Sequence, residues 1–128
     1  MPIEIVLKPS YKKRLEEEFG EDVVRRLNKE INKMNDMLRW KSHVEECFPK
    51  FRAVDEYAGN YFAEIGFDAK QRSHRAIVAW IEEQSIFVVA CVFEKEQHYQ
   101  SSKQSKIFNQ IDKNGSQVMQ DIYNRYDF

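Results

Sequence analysis

Two consecutive segments, starting at Arg75 and at Ile86, are apolar at nearly every position. In both, two sets of apolar side chains alternate along the chain, so each segment offers an apolar face in two directions. Central strands of a sheet that is covered on both sides have this pattern. Because only residues 82–84 separate the segments, they are predicted to form an antiparallel hairpin in the middle of a sheet.

Shorter alternating segments extend this sheet. Residues 61–67 and 51–56 predict two more strands, with a turn at Gly59 between them. Residues 66–73 are predicted to be a polar connection with Lys70 and Arg72 at its tip. Residues 3–8 also alternate and end at Pro9, which predicts a strand at an edge or paired with the C-terminal part of the sheet.

Two helices are predicted between the first strand and the rest of the sheet. Ser10 is a suitable N-cap for a short helix over residues 11–19, and Gly20 is a suitable end. A second helix starts near Glu21 or Asp22. Its apolar residues recur at steps of three and four and form one stripe: Val24, Leu27, Ile31, Met34 and Leu38. The two helices are expected to form a hairpin that packs on the sheet.

The remaining segments have weaker signals. Residues 39–50 lack periodicity, which indicates a loop or a frayed helical extension. Ser101 and Ser102 are suitable caps for a final helix from about Lys103, interrupted near Asn114. The predicted fold is therefore one α+β domain over residues 1–128. Two N-terminal helices pack on a small antiparallel sheet with a mixed edge. The core covers about residues 3–100, and a helical extension covers about residues 101–128.

The composition is that of a globular protein. Of the 128 residues, 42% are hydrophobic and 32% are charged, and the formal net charge is −1. No apolar run is long enough to span a bilayer, so a cytoplasmic protein without membrane contact is expected. The near-zero net charge gives no general signal for nucleic-acid binding. Cys47 and Cys91 form no CxxC pair, and no metal or other cofactor is predicted.

Polar residues cluster where the central hairpin opens. Arg75 begins one strand, and the antiparallel arrangement places it near residues 94–99, which follow the other strand. An arginine there could hold a phosphate, while His98 could protonate a leaving oxygen. Tyr99 could stack on a base. Structural roles remain open for each: an ion-paired arginine, an exposed loop histidine and a tyrosine that closes the core.

These residues resemble the RelE/ParE toxin superfamily, most closely its ribosome-dependent messenger RNA endonucleases of the RelE, YoeB and HigB types. The resemblance extends over about residues 3–100. It is carried by the element order and by segments 58–62 (AGNYF), 74–78 (HRAIV) and 89–95 (VACVFEK). It implies the toxin of a type II toxin-antitoxin system, with a cognate antitoxin as its partner and the ribosome and mRNA as targets.

The resemblance also implies roles for single residues. Arg75 would contact the scissile phosphate, His98 would be the general acid with Tyr99 as its neighbour, and Glu56 would be the general base. The residues expected to position RNA are Lys70, Arg72 and Lys95, together with Tyr99.

At two positions the chain departs from the family pattern. Glu64 and Glu94 stand where family members usually carry basic residues, and an acid repels phosphate. Two alternatives therefore stay open: a gyrase-binding toxin of the ParE type that needs no catalytic residues, and a phage-related protein-binding module. In the second alternative, the C-terminal helix would be a partner surface or a homodimer contact.

Overall fold

The computed structural model describes residues 2–98 and 106–126, and within them the chain is an α+β protein with an open sheet. The strands are β1 (Glu4–Val6), β2 (Ala53–Tyr57), β3 (Asn60–Ala69), β4 (Arg72–Ile81) and β5 (Ile86–Glu94). The α-helices are α1 (Pro9–Phe19), α2 (Glu21–Leu38), α3 (Lys95–His98) and α4 (Lys106–Tyr126). Two 3₁₀ helices cover Val44–Lys50 and Glu82–Gln84.

The sheet has the order β1-β5-β4-β3-β2. Strand β1 is parallel to β5, and all other neighbours are antiparallel. The prediction of a first strand at a mixed edge, paired with the C-terminal part of the sheet, is therefore confirmed. Strand β4 lies in the centre, as its apolar residues on both faces predicted.

Each face of the sheet has its own hydrophobic core. On one face, Ala76, Val78 and Trp80 of β4 are buried in a cluster that includes the apolar stripe of α2. On the other face, Ile77, Ala79 and Ile81 are buried in a cluster with α4. The stripe predicted for the second helix is confirmed at all five positions. The apolar residues of α4 are buried within the same chain, which disfavours their use as a partner surface or homodimer contact.

Helix α1 begins earlier than the sequence predicted. It starts at Pro9 with Lys8 in the N-cap position, so the prediction of Ser10 as the cap is wrong. Proline at the first helical position has a backbone torsion that already suits a helix, and its missing N–H would have no helical partner there. The end of α1 at Gly20 is confirmed, with Gly20 in a conformation of positive φ.

The connection predicted over residues 66–73 is much shorter in the structure. Strand β3 continues to Ala69, and β4 begins at Arg72. Only Lys70 and Gln71 form the turn, and both have positive φ, 52° and 63°. Two such residues in succession give a hairpin turn whose twist matches that of the strands. Asp68 is exposed while its neighbours in β3 are buried, so this polar stretch is strand and not loop.

Within residues 39–50, Val44–Lys50 form a 3₁₀ helix. The carboxylate of Glu46 accepts a hydrogen bond of 3.0 Å from the backbone N–H of His43, which caps this helix. Farther along the chain, the predicted interruption near Asn114 is confirmed by its non-helical torsions. A Cβ on the following Gly115 would lie 2.3 Å from the ring of Tyr57, so glycine allows the kinked helix to approach β2. The predicted caps Ser101 and Ser102 and the predicted start near Lys103 lie outside the described residues.

The end of α4 is attached to an irregular part of β5. Ile77 pairs with Cys91 and Val78 with Val89, so Ala90 is an extra residue in the ladder. The carbonyl of Ala90 accepts hydrogen bonds from Tyr11 and Arg125, and that of Val89 accepts one from Tyr126. Helix α4 is thereby fixed over the face of the sheet that carries Ile77.

Among the described residues, no helix is both long and apolar enough to cross a membrane.

Candidate functional site

The strand register brings the predicted residues around Arg75 to one end of the sheet. Arg75 pairs with Phe93 and His74 with Glu94, and α3 follows directly. The expected closeness of Arg75 to the segment after β5 is therefore confirmed for the backbone. His98 is the last residue of α3, and Tyr99 lies outside the described residues.

The side chain of Arg75 is not open to solvent. Its Nε lies 3.1 Å from Oε1 of Glu64, and the two side chains are 7% and 6% exposed. Its Nη1 donates a hydrogen bond of 2.9 Å to the backbone carbonyl of His74. The guanidinium charge is thus balanced by a carboxylate inside the protein. A phosphate could reach it only if this pair separated.

The pair follows from the register of β3 and β4. Gly66 lies opposite Arg75, and Glu64 lies two residues farther along the same face of β3. A diagonal pair of this kind is within reach of long side chains. Gly66 has no side chain, and the side chain of Arg52 fills the space that one would occupy. A Cβ on Gly66 would lie 2.1 Å from Nε of Arg52. Arg52 therefore crosses β3 beside the buried pair.

His74, next to Arg75, is a residue of the opposite core. Its ring stacks on Phe67 at a centroid distance of 5.3 Å and meets Phe19 edge-on at 6.5 Å. Nδ1 lies 3.1 Å from the backbone carbonyl of Arg72, a contact that suits the tautomer with its proton on this nitrogen. Only 2% of the residue is exposed. Within the described residues, no three His, Cys, Asp or Glu side chains form a metal-binding group.

The cations expected to position RNA have different surroundings. Arg72 forms a salt bridge of 3.2 Å with Glu94. Lys70 extends to the end of α1, where its Nζ lies 3.1 Å from the position of a Cβ on Gly20. An ammonium group at a helix C-terminus interacts favourably with the helix dipole. Lys95 is half-buried in α3. Arg72 thus neutralises the carboxylate of Glu94, and Lys70 interacts with the negative end of the α1 dipole.

Glu56, the predicted general base, is not part of this sheet end. It lies in β2 opposite Tyr61, whereas Arg75 lies opposite Gly66. Five residues of strand separate the two places on β3, which corresponds to about 17 Å. Glu56 is exposed at the other end of the sheet, so the structure does not bring it together with Arg75.

Sequence reasoning missed a basic groove between α2 and β3. It consists of two adjoining depressions of about 380 Å³ each that share Glu30, Lys33, Arg52 and Gly66. We call it the α2–β3 groove. Its cationic side chains are all exposed: Arg26, Lys29, Lys33, Lys50 and Arg52. The signal in the sequence was the spacing of the three on α2, which places them on one helix face beside the apolar stripe.

No model of a known protein family matches the chain, and neither a curated protein nor a solved structure shows significant similarity to it.

Proposed function

We propose that this protein is a toxin of the RelE/ParE type that acts by binding its target, and that it does not cut messenger RNA with Arg75. The ion pair between Arg75 and Glu64 carries the part of this proposal that concerns cleavage. An arginine that stabilises a scissile phosphate must place its charge where the substrate binds. Here that charge is directed into the protein and balanced by Glu64 at 3.1 Å.

Two further observations support the proposal. The chain runs through one strand, two helices and then the antiparallel strands, which is the order on which the resemblance to RelE/ParE toxins rests. Toxins of the ParE type bind gyrase without catalytic residues, so they tolerate the acids at positions 64 and 94. As in other systems of this kind, a cognate antitoxin would neutralise the protein.

Induced expression tests this proposal. The wild-type chain is compared with Arg75→Met/Glu64→Leu, which replaces the buried pair by apolar side chains. We expect growth arrest with both chains, no codon-linked cleavage in maps of mRNA 5′ ends, and loss of gyrase supercoiling activity if gyrase is the target. Absence of growth arrest with the wild type would contradict a toxin. Codon-linked cleavage that the double variant abolishes would contradict binding as the mechanism.

A ribosome-dependent endoribonuclease is the second candidate. It is favoured by the register, which places Arg75, the α3 residues Lys95 and His98, and the turn residue Lys70 at one end of the sheet. In this case Arg75 would have to leave Glu64 when RNA binds. Cleavage by the wild type in a purified translation system, with none by the double variant Arg75→Met/Glu64→Leu, is the result that would establish it, because the double variant lacks the guanidinium without leaving a buried carboxylate unpaired.

A further inference from the structure

The α2–β3 groove carries more positive charge than its own carboxylates balance. Five cationic side chains line it, against the carboxylates of Glu30, Glu64 and Asp68. Glu64 is already paired with Arg75, so the five cations face two carboxylates, Glu30 and Asp68, and the groove has an excess of three positive charges. In the described part of the chain, none of the five cations forms a salt bridge. The groove therefore attracts anions although the whole protein is nearly neutral.

The cations stand on both walls of the groove. Arg26, Lys29 and Lys33 follow one another at steps of three and four residues on α2 and so share one helix face. Lys50 and Arg52 lie on the other wall, at the end of the 3₁₀ helix and just before β2. Charges on two sides suit an extended anion that runs along the groove better than a single small ion.

Part of this site is held in position before any ligand binds. Arg52 occupies the space above Gly66, where any side chain would collide with it. Arg26 donates a hydrogen bond of 3.3 Å from Nε to the backbone carbonyl of Asp68, which leaves its charge unbalanced. Side chains that are ordered in advance lose less conformational entropy on binding.

An exposed tryptophan lies beyond one end of the groove. Met37 lines the groove, and Trp40 follows three residues later, just after the end of α2. Trp40 is 78% exposed, and the guanidinium of Arg39 lies 5.0 Å from its ring centroid. Proteins that bind single-stranded nucleic acid combine a positively charged groove with exposed aromatic rings on which bases stack.

We propose that the α2–β3 groove binds single-stranded nucleic acid, with its cations on the phosphodiester backbone and Trp40 stacked on a base. A single strand is favoured over a duplex because an unpaired base has a face free for the indole ring. Nucleic acid is favoured over an acidic protein segment because every base has a face on which an indole ring can stack, whatever the sequence, next to the phosphates that the cations contact. This inference goes beyond the proposed function, since it concerns a surface away from Arg75 and needs no cleavage.

Fluorescence anisotropy with labelled 12-nucleotide RNA and DNA strands of mixed sequence tests the inference on the full chain. If four of the groove's cations contact phosphates, raising the salt from 50 to 200 mM should weaken binding by about 50-fold. Lys29→Gln/Lys33→Gln should lower the salt slope from about −2.8 to about −1.4. Trp40→Ala should weaken binding by roughly 5- to 150-fold. The strand with the lower Kd, RNA or DNA, is the preferred ligand.

A matched control is Lys13→Gln/Arg14→Gln, which removes the same charge from the exposed residues of α1. It should leave affinity and salt slope unchanged, and thermal unfolding should show that all variants fold. Equal weakening by this control would mean non-specific attraction and would overturn the proposal. The proposal also fails if neither strand binds below about 100 μM at low salt, or if polyglutamate of equal charge competes as well as the oligonucleotides.

Discussion

Replacing Arg75 by methionine should destabilise the protein strongly, because the substitution removes the guanidinium partner of a buried carboxylate. Arg75 and Glu64 lie 3.1 Å apart and are almost completely buried. Breaking such a pair by removing one partner typically costs about 3–5 kcal/mol. For a chain of this size, that corresponds to a fall in Tm of about 10–20 °C.

The double variant Arg75→Met/Glu64→Leu separates loss of the pair from loss of packing. Apolar residues of similar volume can replace a buried ion pair at little cost, so we expect the double variant within about 2 kcal/mol of the wild type. Urea unfolding of both single variants and the double variant then gives a coupling free energy of at least about 3 kcal/mol.

The matched control for this series is Arg72→Met. Arg72 also bridges to a glutamate, but its side chain is 65% exposed. Exposed salt bridges contribute about 0–1 kcal/mol, so this variant should unfold almost like the wild type. If Arg75→Met were as mild as Arg72→Met, Arg75 would be accessible in solution, and the argument that it is withheld from a substrate would be wrong.

Two substitutions test the packing of α4, and a third tests the burial of a thiol in β5. Gly115→Ala places a Cβ 2.3 Å from the ring of Tyr57 and should cost about 1–3 kcal/mol by thermal unfolding, whereas the exposed neighbour Ser116→Ala should be neutral. Tyr126→Phe removes a hydrogen bond to a β5 carbonyl and should cost about 1–3 kcal/mol in urea unfolding; no loss would mean that water replaces the hydroxyl. Burial raises the pKa of the Cys91 thiol to about 12. The unfolded chain loses that proton near pH 8.5, whereas the folded chain keeps it until near pH 12. The thiol's contribution to the free energy of unfolding is therefore complete below pH 8.5 and falls by about 1.4 kcal/mol per pH unit as the pH rises toward 12. Cys91→Ala should reduce this alkaline loss in urea unfolding at pH 8 to 10.5, and an equal loss in both chains would contradict the assignment.

The parts of the fold that could be predicted from sequence are those set by periodic apolar burial. The alternating residues around Ile77 predicted a central strand covered on both faces, and the steps of three and four from Val24 to Leu38 predicted α2. Asn114 predicted the kink because asparagine followed by glycine favours a break in a helix. Each of these signals lies within a single element, and the first two depend on the burial of that element's own side chains.

The turn at Lys70 and the pairing of Arg75 could not be predicted in the same way. Lys70 and Gln71 adopt positive φ without glycine or asparagine, so the hairpin has none of the usual turn residues. The partner of Arg75 depends on the register between β3 and β4, which no local pattern specifies. Without that register, Glu64 is only an acid at a position where the family usually carries a base.

The register also changes what the acids at positions 64 and 94 mean for function. Glu64 balances Arg75 and Glu94 balances Arg72, so the sheet end that resembles a nuclease site has two of its cations paired with carboxylates. The α2–β3 groove, in contrast, has cations on both walls that no carboxylate in the described residues pairs with. An anionic ligand is drawn to the region where positive potential is not compensated. The same pairs that disfavour cleavage at Arg75 therefore make the groove the stronger candidate for contact with nucleic acid.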